Sequence, residues 1–246
     1  MFGESCGFRY FPSGFARSLA LFIRYMGEKP MAQILKKAAR LLPFRRWFKK
    51  RRQMQQITQW EKTGKPLPPP HAVKQRTLQY YSEKFNLKTL VETGTYYGDM
   101  IEAMREVFNH IYSIELSREL YEKARVRFQG EKHIDLIWGD SGVEMGKIMS
   151  KLDQPALFWL DGHYSAGETA RSDKDTPIYE ELNHIFNASE KRHVIIIDDA
   201  RNFGTDPEYP RREELFDFIK SKRPDVNIVV QDDSIRITPK AETDNT

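Results

Sequence analysis

From residue 71 onward, short apolar runs alternate with helix-length amphipathic segments, and this alternation restricts the chain to an α/β architecture with a mostly parallel sheet. The runs are 89–92, 111–114, 134–138, 156–161, 193–198, 227–231 and 235–238. Only residues 232–234 separate the last two, too few for a crossover helix, so this pair must close as an antiparallel hairpin. The expectation is a doubly wound, seven-stranded sheet with helices on both faces and a reversed last strand. Its domain spans 71–240, followed by a short tail, 241–246.

The segment before it has a different character. Residues 1–80 carry 17 Lys and Arg against 3 Asp and Glu, whereas residues 81–246 carry 22 against 32. A basic arm on an acidic body is expected to meet an anionic surface. No run of about 18 apolar residues is present, so a transmembrane helix is not expected. The start lacks the basic cluster, long apolar run and cleavage pattern of a secretory signal. The lone cysteine, Cys6, excludes an internal disulfide and suits a reducing, cytoplasmic setting.

Within the arm, Ile34, Ala38, Leu41 and Leu42 fall at helical spacing beside Lys36, Lys37, Arg40, Arg45 and Arg46. Such a helix, interrupted at Pro43, would lie in an anionic membrane interface through residues 31–52, with Trp47 and Phe48 inserted and Lys49 to Arg52 against head groups. A solvated helix packed on the domain or on a partner is an equal alternative, and nucleic acid a weaker one. The arm is assigned to 1–63 and the proline-rich string GKPLPPP to a linker at 64–70.

Ligands of doubly wound sheets bind beyond the carboxyl ends of the strands, so the residues there carry the functional signal. The first strand enters V-E-T-G-T-Y-Y-G-D, where Gly94 allows a tight turn and Gly98 allows a ligand to approach the backbone. The glycine that would bring a pyrophosphate onto the backbone is missing, which argues against a dinucleotide. Glu115, ending the second strand, is placed to accept from two ribose hydroxyls. It also precedes Ser117, a good helix cap. After the third strand, W-G-D-S-G offers Asp140 to an adenine amino group, the Ser141 amide to a ring nitrogen, and Trp138 or an apolar neighbour as a flank for the base.

The fourth and fifth strands end in L-D-G-H and I-I-D-D. Asp161, Asp198 and Asp199 would converge there, a set of hard oxygen donors suited to Mg²⁺. Caps or turns are the alternative reading of the same acids. His163, two residues beyond Asp161, is a candidate general base or a substrate-binding group. The polar loop 163–176 that follows is placed as a substrate lid, with Tyr164, Ser165, Arg171 and Lys174 as acceptor contacts.

Taken in order, V-E-T-G-T-Y-Y-G, Y-S-I-E, W-G-D-S, L-D-G-H and I-I-D-D resemble the class I S-adenosylmethionine-dependent methyltransferases, more narrowly the bacterial small-molecule O-methyltransferases of the macrocin type. The resemblance covers about residues 80–239 and implies a Rossmann-like fold with S-adenosylmethionine as cofactor. It implies that Glu92, Gly94 and Gly98 hold the methionine portion, Glu115 the ribose, and Asp140 and Ser141 the adenine. Metal-dependent members place carboxylates where Asp161, Asp198 and Asp199 stand, and Asp161 and His163 then become the catalytic pair. The lysine base of the catechol-type enzymes is not evident beside Asp161, and the first turn has Thr95 and Tyr96 where many relatives carry another glycine.

The expected function is methylation of a hydroxyl on a small-molecule, sugar or glycolipid-precursor acceptor, with Mg²⁺ assistance. The alternatives are a non-catalytic nucleoside-binding scaffold delivered by the arm to membrane or nucleic acid, and an NAD-linked oxidoreductase disfavoured by its missing glycine.

Overall fold

A computed structural model describes residues 43–161 and 177–240 of the chain. The arm up to residue 42, the loop carrying His163, Tyr164, Ser165, Arg171 and Lys174, and the tail 241–246 lie outside the described residues. The chain divides into two compact units, Met1–Met54 and Gln55–Thr246.

Helix α1 (Pro43–Lys62) begins at the proline expected to interrupt a helix. Proline suits a first helical turn, where its missing N–H costs nothing. The second unit starts before the proline-rich segment because Ile57 and Trp60, near the end of α1, are buried with Ala72 and Val73 of α2 (His71–Lys84). Trp60 Nε1 also donates to the Pro66 carbonyl at 2.8 Å, which ties the segment back onto the helix.

The domain then alternates as expected: β1 (Thr89–Thr93), α3 (Asp99–Met104), β2 (His110–Glu115), α4 (Arg118–Arg127), β3 (Ile134–Trp138) and α5 (Ser141–Met149). It continues with β4 (Leu157–Leu160), α6 (Ile178–Asn187), β5 (Val194–Ile197), α7 (Arg212–Lys222), β6 (Val226–Gln231) and β7 (Ser234–Pro239). The sheet order is β3-β2-β1-β4-β5-β7-β6, with β7 antiparallel to both neighbours. Asp232 and Asp233 form the two-residue turn of the last hairpin, with φ of 50° and 64°, the left-handed geometry that matches strand twist.

Residues of a strand point alternately to opposite faces. Val91, Phe158, Leu160, Ile195 and Ile197 accordingly pack on the face covered by α5, α6 and α7. Leu90, Leu157, Trp159, Val194 and Ile196 pack on the other, with residues of α2, α3 and α4. Because the central strands are covered on both faces, they read as continuous apolar runs rather than alternating ones. The order reverses between β1 and β4, and the carboxyl ends of those strands are where a ligand crevice is expected.

Candidate functional site

Glu92 is the penultimate residue of β1 and faces the same side as Leu90, so it is buried under α2 and α3 rather than exposed at the strand end. Ser113, its register partner on β2, donates to Glu92 Oε2 at 2.6 Å and lies 2.6 Å from Thr95 Oγ1. Burial pushes the Glu92 carboxyl up to about 8, against the pull of the Ser113 hydrogen bond. A neutral carboxylic acid at this depth is poised to ionise when a cation arrives.

The turn after β1 runs through three residues with positive φ, Gly94 at 79°, Tyr96 at 50° and Gly98 at 77°. Glu115 fixes this turn: Oε2 accepts from the Tyr96 amide and Oε1 from the Ser117 amide, both at 2.8 Å. Burial raises the Glu115 pKa, while those backbone hydrogen bonds oppose the rise. The remaining acceptor capacity of its two oxygens is what a ribose diol would use. Gly98 has a packing role as well: a Cβ there would stand 2.5 Å from the Phe128 ring, so its missing side chain makes room for a core aromatic.

Along the same edge, Asp140 caps α5, its Oδ1 accepting from the Gly142 amide at 2.8 Å, and Ser141 is buried behind it. Trp138 is 52% exposed and engaged elsewhere, its Nε1 donating to the Leu116 carbonyl and its ring lying under Arg118. A base-flanking role for Trp138 finds no support in that placement.

Beyond β1 and β4 a cavity of about 260 Å³ is lined by His71, Lys74, Glu92, Gly94, Thr95, Tyr96, Trp159 and Asp161, among others. Glu92, Gly94 and Asp161 are therefore brought together, while Glu115, Asp140 and Ser141 follow along the edge outside this lining. The Asp161 amide is held by Thr93, through the carbonyl at 3.3 Å and the hydroxyl at 3.2 Å. Burial and the Asp198 carboxylate push Asp161 well above the usual carboxylate range, with Lys74 opposing.

Asp198 is buried directly after β5, and Asp199 follows with a φ of 54°. Between them and Asp161 stands the ammonium of Lys74, delivered by α2. It donates a hydrogen bond to Asp198 Oδ2 and lies 3.6 Å from Asp199 Oδ1. Arg201 pairs with Asp199 at 3.0 Å and with Asp233 of the hairpin turn. The donor chemistry of the three aspartates suits Mg²⁺, but a lysine ammonium already serves as their cation, and no group of three metal-ligating side chains in position for a metal occurs among the described residues. The expected metal set Asp161, Asp198 and Asp199 does not fit a divalent ion in this arrangement.

Sequence reasoning missed three further residues. Lys74 and His71 precede the first strand in a basic stretch, where a lysine reads as solvated charge; only the packing of α2 brings them to the cavity. Glu181 of α6 is fully buried near Ser141 and Thr93, and burial raises it to about 7. Its Oε1 has no hydrogen-bond partner among the described residues. Its position in the first turn of a helix makes it read as an ordinary dipole-compensating acid.

No protein-family model matches this sequence, and no curated protein does. Solved structures do. An O-methyltransferase from Bacillus cereus in complex with SAH is similar over 76% of this chain and 90% of its own, at 15% identity and a TM-score of 0.50. An SAH-bound methyltransferase from Podospora anserina is similar over 96% of this chain and 100% of its own, also at 15% identity and a TM-score of 0.50. At this identity the likeness is one of fold. The Rossmann-like, seven-stranded methyltransferase fold read from the sequence is the fold of the chain.

Proposed function

We propose that this chain is an S-adenosylmethionine-dependent methyltransferase acting on a hydroxyl of a small-molecule acceptor, with a sugar or glycolipid precursor preferred over a polyanion. The observation that carries the reading is the arrangement of acids at the carboxyl edge of a methyltransferase-like sheet: Glu92 buried in the cavity, Glu115 buried and bracing the turn beside it, and Asp140 at the next strand end. The SAH bound in two proteins of like fold supports the same choice of cofactor.

In this reading Glu92 and the turn at Gly94 receive the methionine portion, and Gly98 shapes that turn through Phe128. Glu115 accepts from the ribose, Asp140 from the adenine amino group, and the Ser141 amide donates to a ring nitrogen. The acceptor oxygen attacks the sulfonium methyl in line. An O–C bond would form as the S–C bond breaks, the electron pair staying on sulfur as a thioether, and the acceptor proton passing to His163 or to Asp161 in its ionised form. The protein contributes orientation above all. Lys74, not a metal ion, supplies the positive charge beside Asp161, so no step is assigned to Mg²⁺.

The acidic body from residue 81 on supports a neutral or weakly charged acceptor. Residues 31–52 are proposed to rest on an anionic membrane surface. In their described part, Trp47 and Phe48 are about half exposed and continue into the exposed run Lys49 to Arg52, with Arg51 lying over the Trp47 ring. Among the described residues no helix is long and apolar enough to cross a membrane.

Calorimetric titration with S-adenosylhomocysteine tests the cofactor assignment. The intact protein is expected to bind one equivalent, and Glu115→Ala to lose at least tenfold in affinity, about 1.4 kcal/mol. Binding unchanged in the variant would remove Glu115 from the site.

A further inference from the structure

The cluster of Asp161, Asp198 and Asp199 holds three carboxylates at adjacent strand ends, one of them 1% exposed. Buried carboxylates need a countercharge. Asp198 Oδ1 has no hydrogen-bond partner among the described residues, so its other oxygen, bonded to Lys74, carries the compensation. Arg201 pairs with the same Asp199 Oδ1 at 3.0 Å and with Asp233, so Asp199 is shared between two cations while Asp198 relies on Lys74. The Lys74 side chain is 18% exposed and its ammonium lies 5.9 Å from the centre of the Trp159 ring, a second contact favourable to a cation.

We propose that Lys74 is the resident cation of the acceptor edge: its ammonium stands in for a divalent metal ion among Asp161, Asp198 and Asp199 and offers a hydrogen bond to the acceptor oxygen. Its role toward the acceptor rests on the methyl-transfer reading; its role as a cation does not. An ammonium carries three donors. Asp198 takes one, the 3.6 Å approach to Asp199 is electrostatic rather than a hydrogen bond, and the residue lines the same cavity as Trp159 and Asp161. Donor capacity is thus left on the cavity side, where an oxygen losing its proton would need positive charge. A divalent ion binding these oxygens at about 2.0–2.1 Å would have to expel the ammonium first.

The position of Lys74 explains why α2 belongs to the site although it precedes the first strand. The helix is anchored through Ala72 and Val73 against Ile57 and Trp60 of α1, and through Leu78 and Tyr81 against the sheet. Lys74 projects between these two anchored stretches.

The test is titration with Mn²⁺ alone, followed by electron paramagnetic resonance, on the full chain and on Lys74→Ala and Lys74→Arg. The unaltered protein is expected to bind no Mn²⁺ below about 1 mM and to keep its melting temperature in EDTA. Lys74→Ala is expected to melt about 6–15 °C lower, to bind Mn²⁺ at least tenfold more tightly, and to regain stability on its addition. Lys74→Arg keeps a cation and is expected to bind no Mn²⁺. One-to-one binding of Mn²⁺ by the unaltered protein below about 1 mM overturns the proposal, and this arm holds even where Lys74→Ala does not fold. Equal Mn²⁺ affinity in Lys74→Ala and the unaltered protein overturns it as well. S-adenosylhomocysteine binding, followed in the same samples, separates the two readings: its absence counts against the cofactor assignment and leaves the cation assignment to the Mn²⁺ result.

Discussion

Glu92 links the buried side of the sheet to the ligand through its proton. Burial holds its carboxyl at about 8 in the folded chain, against 4.5 for a free side chain. Between those values the folded state keeps a proton that the unfolded state releases. Its contribution to stability is therefore full below about pH 4.5 and is lost as pH rises toward 8, at about 1.4 kcal/mol per unit. Glu92→Gln is expected to flatten that slope in denaturant unfolding measured from pH 5 to 9. Glu181, raised to about 7 by burial, leaves a slope of the same sign over a narrower pH range in the variant. The ammonium of a bound S-adenosylhomocysteine would reverse the balance at Glu92 and ionise it, so binding at pH 7 is expected to release close to one proton. Binding enthalpies compared in buffers of different ionisation enthalpy read this directly, and a buffer-independent enthalpy would place the ammonium away from Glu92.

The turn between β1 and α3 shows how one element is set by another. Gly98 has a φ of 77° and its absent Cβ leaves room for Phe128, which follows α4. Gly98→Ala meets both backbone strain and the aromatic ring, and is expected to cost about 2–4 kcal/mol of stability, read from urea unfolding. The strands were legible above all at β4 and β5, unbroken apolar runs covered on both faces, and the hairpin because Asp232 and Asp233 leave no room for a crossover. The acids at the strand ends were legible for the same reason, since a charge ending an apolar run stands out. What escaped the sequence came from packing between elements distant along the chain. Lys74 meets Asp198 across 124 residues, and Gly98 meets Phe128 only after α3, β2 and α4 have folded back. Pattern within a segment carries no record of such contacts.

At the scale of the whole molecule, charge divides along the chain: 17 basic against 3 acidic residues up to Tyr80, and 22 against 32 after it. An arm acting through that charge should respond to salt, because the Debye length shrinks from about 10 Å at 0.1 M to about 3 Å at 1 M. Co-sedimentation with anionic phospholipid vesicles is expected at low salt, to fall severalfold at 0.5 M, and to fall similarly when Lys49, Lys50, Arg51 and Arg52 are replaced by Gln. Salt-insensitive association would assign it to apolar contacts alone. The compact unit Gln55–Thr246 holds every described residue given a cofactor or acceptor role, so the arm and the site are open to separate tests. A crystal structure of the full chain grown with S-adenosylhomocysteine would read the cofactor pocket itself. The ligand is expected at the carboxyl ends of β1 to β3, with its ammonium at Glu92, its ribose hydroxyls on Glu115 and its adenine beside Asp140 and Ser141. Ligand bound elsewhere, or a site left empty at saturating concentration, would contradict that placement.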